Sequence, residues 1–205
     1  GLAQINVVVS MFFGGISGSA VADTAGEGQI IIPAMVKRGY DPAFSTAITV
    51  ASSTLAQIIP PSIIAVIYAA TMGVSVGALF LACAIPGLLV GGVQMVMSYI
   101  YAVKRNYPRE PRATFADFVK ALKDSALSMG MPIIILGGVI GGVFTATEAS
   151  VVAVVYAILI SVFQYKSLKW TDFIQVVRST AKACSLTAFC ISGASAFGWL
   201  MGLFR

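Results

Sequence analysis

Two apolar runs, Val76 to Val103 and Ser185 to Phe204, set the first limit on what this chain can fold into. Each is long enough to cross a hydrocarbon core of roughly 30 Å, which takes about 20 helical residues. Inside lipid every backbone amide and carbonyl must find a partner, so a spanning run is a helix or a strand of a closed barrel. No period-two alternation runs along these segments, which sets the barrel aside. Composition agrees, since 58% of the residues are hydrophobic and 10% charged, where soluble domains carry about a quarter charged. The expected fold is all-α and integral to a membrane.

The net charge is +5. The basic residues sit between apolar runs rather than on one soluble face, so they report topology and not nucleic acid. Lys37 with Arg38, Lys104 to Lys123, and Lys166 to Lys182 form three groups, with Arg205 outside them. An excess of Lys and Arg marks cytoplasmic segments, and an even number of crossings then separates each group from the next. Pro42 to Met72 and Val76 to Val103, joined at Gly73, supply the first pair. Met131 to Phe144 and Glu148 to Gln164 supply the second, either as shortened or tilted helices or as two regular spans. The chain opens on Gly1 within an apolar run and without an initiator Met, and is expected to be an excerpt of a longer protein.

Thr114 to Ser128 and Trp170 to Cys184 are too charged to cross and are expected to lie flat at the cytoplasmic interface. FADFVKALKDSA aligns without gaps on WTDFIQVVRSTA. The match reflects either an internal repeat or the shared constraint on two amphipathic helices. The Pro-rich linker from Asn106 to Arg112 marks the main boundary. The expected organisation is a segment 1–75 with hairpin and broken helix, a transmembrane helix 76–105, a linker with interfacial helix 106–130, and a second set of helices 131–205. Cys83, Cys184 and Cys190 show no metal or redox spacing and are expected as small core residues.

The chemistry lies in two interruptions. FGGISGSAVADT breaks an apolar stretch that resumes as GQIIIPAM, and its glycines permit a sharp turn while Ser17, Ser19 and Thr24 offer hydroxyls. Both arms start and finish on one side, which defines a re-entrant hairpin that must be buried in protein or line a cavity. The second interruption, ASSTLAQIIPPS, carries three hydroxyls at Ser52, Ser53 and Thr54, an amide at Gln57, and Pro60 with Pro61, which lack backbone donors. Hydroxyl and carbonyl oxygens suit a small hard cation, and the N-terminal ends of half-helices suit an anion, so one site can hold sodium and a carboxylate. Asp23 and Glu27 are the acidic residues of the hairpin; Asp23 either caps the second arm or lends negative potential to the cation, a supporting role. Thr145 and Glu148 in TATE form a capping box. No enzyme is expected, because the sequence has no His, its lysines lie outside the apolar spans, and GGISGSA lacks the strand and Lys of a phosphate loop.

At GGISGSAVADT, IPAMVKRGYDPAFSTAIT and ASST with IIPPS, and onward through MPIIILGGVIGGVFTATEASVVAVVYA, the chain resembles the large membrane subunit of TRAP (tripartite ATP-independent periplasmic) transporters. The resemblance implies an elevator-type, sodium-coupled (Na+) symporter of the bacterial inner membrane, built from inverted repeats. It also implies two partners, a small four-helix membrane subunit and a periplasmic binding protein that delivers an organic acid such as a C4-dicarboxylate or sialic acid. Carried over by position, Gly15, Ser17, Gly18, Ser19 and Asp23 form the hairpin tip. Ser52, Ser53 and Thr54 form the facing break, and the two together make a sodium site. Ser19, Ser53, Gln57 and Pro60 are the expected substrate contacts. An uncoupled channel and a non-transporting scaffold subunit are the alternatives. Two departures stand out: Ala56 and Gln57 replace a common Gly-Pro pair, and Gly26 and Glu27 replace residues usually small or apolar.

Overall fold

The computed structural model of the chain describes residues 1–108 and 115–203. Most of the expected linker, including Pro111 and Arg112, lies outside the described residues, as do Thr114 and Arg205. Among the described residues all regular structure is helical. The chain divides into two units, Gly1–Val155 and Tyr156–Arg205.

In the first unit, α1 (Leu2–Ser17) and α2 (Ala20–Lys37) form an antiparallel hairpin through a two-residue turn. Gly18 makes that turn possible. Its φ of 63° lies in the left-handed region that glycine enters without strain, and its amide closes α1 on the Gly14 carbonyl at 2.8 Å. Ser19 then caps α2 by accepting from the Ala22 amide at 3.4 Å. The second arm stops at Lys37, with Gly39 at φ 85° in the exit turn.

Asp41 caps α3 (Pro42–Ser53), accepting from the Ala43 amide at 2.7 Å, with Pro42 in the first turn where a missing amide costs nothing. After Ser53 the helix tightens to a single 3₁₀ turn, Thr54–Gln57, and then breaks. The Pro60–Pro61 bond is cis. Ser62 repairs both sides of the break: its hydroxyl donates to the Gln57 carbonyl at 2.7 Å and accepts from the Ala65 amide at 3.3 Å, capping α4 (Ile63–Met72). Gly73 and Ser75 turn the chain into α5 (Val76–Lys104), a 29-residue helix.

α3 packs against both hairpin arms, and Ala3, Met35 and Tyr40 form a small buried core at one end. The C-terminal end of α5 closes over that corner. Tyr107 stacks on Tyr40 with ring centroids 4.4 Å apart, and Arg105 pairs with Asp41 at 3.4 Å while lying 5.6 Å from the Phe44 ring centre. The outer face of α5 is apolar and open, with Ile85, Leu88 and Val93 all more than 60% exposed, the pattern of a helix whose outer surface meets lipid.

Four helical stretches among the described residues are long and apolar enough to cross a membrane: Val76–Lys104, Val119–Ile140, Ala146–Gln164 and Trp170–Met201. Two of them revise the expectation of separate interfacial segments. Thr114 to Ser128 was expected to stop before the next span, but α6 runs unbroken from Phe115 to Ile140. Nothing between Ser125 and Met131 ends a helix, and Pro132 removes one amide without halting it. This extension also gives the short 131–144 segment the length of a regular span. α7 (Ala146–Leu159) follows a turn at Gly142, φ 68°, and closes in one π turn, Ile160–Gln164.

In the second unit, α8 runs from Trp170 to Leu203, so the expected break near Cys184 is absent there. Its Cys184 and Cys190 are exposed rather than in a core, because almost none of this helix is covered within its own unit. Both aligned segments are helical, FADFVKALKDSA within α6 and WTDFIQVVRSTA at the start of α8.

α1 and the 3₁₀ turn approach each other closely. A Cβ placed on Gly14 would stand 2.7 Å from the Ala56 Cα, a backbone atom that cannot swing away. Gly14→Ala is therefore expected to destabilise the full-length protein by about 1–3 kcal/mol. Thermal unfolding in detergent reads this directly, and an unchanged melting temperature would contradict the contact.

Candidate functional site

The hairpin tip lies on the broken segment. The Ile63 amide donates to the Gly18 carbonyl at 3.3 Å, a Cβ on Gly18 would meet the Pro61 carbonyl at 2.9 Å, and one on Gly15 would meet the Pro60 carbonyl at 3.7 Å. Gly15, Gly18 and Pro60 are buried, while Ser17 and Ser19 are half-buried. The tip is held from within by Ser17, whose hydroxyl donates to the Asp23 carboxylate and accepts from the Ser19 amide at 3.1 Å. Asp23 is fully buried, and its second carboxylate oxygen has no hydrogen-bond partner among the described residues. A buried carboxylate oxygen without a partner is costly and points to a missing ligand.

Beneath the tip runs a polar chain across three helices. Ser10 on α1 lies 2.9 and 3.0 Å from the two Glu27 carboxylate oxygens on α2, and 2.7 Å from Ser52 Oγ on α3. Asn6, one turn earlier on α1, donates to Thr49 Oγ1 at 2.7 Å. Asn6, Ser10, Thr49 and Ser52 are completely buried, and Glu27 is 3% exposed. Such groups are tolerated because they satisfy one another.

The expected site residues fall into three groups. Ser52 and Ser53 are buried against the hairpin, both donating to the Thr49 carbonyl, at 3.1 and 2.8 Å. Thr54 and Gln57 are exposed on the far side of the 3₁₀ turn, with the Thr54 hydroxyl bonded to the Ala51 carbonyl at 2.6 Å. Two clefts flank the tip. One, about 280 Å³, is lined by Ser17, Gly18, Pro61, Ser62, Ile63 and Phe80 among others; the other, about 450 Å³ and apolar, includes Gly15, Pro60 and Met11. Of the four expected substrate contacts, Pro60 lines the second cleft, and Ser19, Ser53 and Gln57 line neither. Thr145 and Glu148 meet in a reciprocal cap: the Thr145 amide donates to Glu148 Oε2 at 2.8 Å and the Glu148 amide to Thr145 Oγ1 at 3.3 Å.

Asn6, Ser10 and Thr49 are not among the residues expected from the sequence, and Glu27 is expected there as an acidic residue of the hairpin and a departure from the family, without a partner. The signal was present as spacing: Asn6, Ser10, Gly14 and Ser17 recur at helical period on α1, and Ser45, Thr49, Ser52 and Ser53 do so on α3.

No cluster of three or more His, Cys, Asp or Glu forms among the described residues. The donors gathered here are hydroxyl, carboxylate and carbonyl oxygens. That set, with the unpartnered Asp23 oxygen, fits a hard monovalent cation such as sodium.

Comparison with known proteins identifies the chain. The family model described as "Tripartite ATP-independent periplasmic transporter, DctM component" matches residues 1–204. The chain is 40% identical over 200 residues to the sialic acid TRAP transporter large permease protein SiaM of Vibrio cholerae, covering 98% of this chain and 47% of that protein. It is 37% identical over 201 residues to the C4-dicarboxylate large permease DctM of Pseudomonas aeruginosa, with 98% and 47% covered. Against the ectoine large permease TeaC of Halomonas elongata the identity is 35% over 201 residues, with the same shares. The chain thus spans about half the length of these relatives. A family match along nearly every residue, joined to the four membrane-length helices, shows that this chain belongs to the DctM component family of TRAP transporters and is a multi-pass protein of the inner membrane.

Proposed function

We propose that the full-length protein carries out sodium-coupled uptake of an organic acid, with the hairpin tip and the facing break forming one half of the transport site. The observation that carries this reading is the docking of the Gly15 to Ser19 tip on the Ser52 to Ser62 break, above a buried Asp23 oxygen that lacks a partner. Ser17 orients Asp23, Gly18 brings backbone carbonyls together, and Ser52 and Ser53 add hydroxyls. Bound there, sodium would supply the charge that a carboxylate substrate and a buried Asp23 both need. No covalent step is required, and the ion gradient drives uptake.

The relatives' names support this substrate class: sialic acid, C4-dicarboxylates and ectoine all carry a carboxyl group. No Lys or Arg lies between Leu2 and Val36, so the anion would be held by helix N-termini and hydroxyls. The partners in this reading are a small four-helix membrane subunit and a periplasmic binding protein. The helices α1 to α4 move as one block, in the manner of an elevator within an inverted-repeat protein. The break of α1 at Gly18 and of α3 after Ser53 favours transport over a scaffold built of continuous helices.

In proteoliposomes of the full-length protein with both partners, uptake is expected to require an inward sodium gradient. Ser17→Ala and Ser53→Ala should each lower uptake at limiting sodium roughly tenfold, the scale of one charge-assisted hydrogen bond or ion contact. Uptake indifferent to sodium would point instead to an uncoupled channel. Gln57→Ala, at an exposed position of the break, is expected to shift the half-saturating substrate concentration while leaving the sodium requirement intact; identical substrate curves would remove Gln57 from the site.

A further inference from the structure

The Ser10 hydroxyl carries one hydrogen and faces three acceptors: the two Glu27 oxygens at 2.9 and 3.0 Å and Ser52 Oγ at 2.7 Å. It can serve Glu27 or Ser52, not both. A bond to a carboxylate is the stronger of the two, so the hydrogen goes to Glu27. Ser52 then turns its own hydrogen to an acceptor, Ser10 Oγ at 2.7 Å ahead of the Thr49 carbonyl at 3.1 Å and Asn6 Oδ1 at 3.5 Å. Among the described residues Ser10 is the one side chain that donates to Ser52 Oγ. With Ser10 turned to Glu27, a Ser52 lone pair is left open inside a fully buried site.

We infer that Glu27 is a positioning residue for the bound cation, drawing the Ser10 hydrogen away so that Ser52 Oγ stays available to the ion. This rests on the sodium reading above. The same arrangement gives the buried Glu27 carboxylate a reason to be there: no Lys or Arg lies between Leu2 and Val36, and an ion on Ser52, one hydroxyl away, would supply the opposite charge. Glu27 need not touch the ion. Without it, Ser10 turns to Ser52 and occupies the lone pair the ion would use.

The test is sodium-dependent thermal stabilisation of the purified full-length protein at constant ionic strength, with potassium replacing sodium. A ligand that binds only the folded state raises its stability with a midpoint set by its affinity. Glu27→Met, which keeps the side-chain length but offers no comparable acceptor, is expected to raise the sodium midpoint about tenfold. Adding Ser10→Ala removes the competing donor, so Glu27→Met with Ser10→Ala should return to within about threefold of the unaltered protein. A merely structural role predicts the opposite, a double variant as weak as the single or weaker. That result, or an unchanged midpoint in Glu27→Met, overturns the inference. If Glu27→Met does not fold, Glu27→Leu with and without Ser10→Ala, which likewise removes the acceptor, is read the same way. An unaltered protein that shows neither sodium stabilisation nor sodium-dependent uptake overturns the sodium reading itself.

Discussion

The close approach of α1 to the broken segment is the contact on which the rest of the first unit depends. Two backbones can come this near only where one side has no Cβ, and Gly14 provides that face against Ala56. With the gap closed, Ser10 and Asn6, one and two turns earlier on the same helix, come level with Ser52 and Thr49. The tip residues follow one turn later and reach Pro60 and Pro61. A single small residue thus sets the register of both the polar chain and the tip. In lipid, where the hydrophobic effect does little to drive helices together, such close packing and the hydrogen bonds it permits are what hold helices in place.

A broken helix inside a membrane-length unit raises an accounting question, because each lost backbone bond must be replaced. The replacements are local and specific. Ser62 takes the Gln57 carbonyl and caps α4, the Ile58 and Ile59 amides both turn to the Leu55 carbonyl at 2.9 and 2.7 Å, and the Ile63 amide reaches across to Gly18. Pro60 and Pro61 have no amides to satisfy. The Ile58, Ile59 and Ile63 amides and the Gln57 carbonyl thus find partners within the protein, while Asp23 in the facing hairpin keeps a buried carboxylate oxygen without one among the described residues.

Much of this was legible from residue order. Glycine and proline mark the turn at Gly18 and the break at Pro60, and Asp41 with Pro42 announces a helix start, because these residues act through local backbone geometry. The family resemblance rested on the same punctuation. What stayed hidden depended on which faces meet. Ser10 and Asn6 sit in an uninterrupted apolar stretch and gain meaning only once α2 and α3 cover them. Glu27 looked like an oddity for want of its partner. The continuity of α6 and α8 was missed for a different reason: charged residues argue about depth in a membrane but do not end a helix, and Gly130 and Pro132 just past the first expected stop are carried within α6.

The corner where α5 closes over the α2–α3 connection has a mechanical meaning. Tyr107 lies flat on Tyr40, and Arg105 grips Asp41 beside the Phe44 ring. Stacking loses its attraction within a few ångströms, whereas the half-exposed ion pair fades over the longer screening length, so the aromatic contact resists the first increment of separation most. The corner therefore ties the end of α5 to the α2–α3 connection, so that parting the two would first break the Tyr40–Tyr107 stack and the Arg105–Asp41 pair.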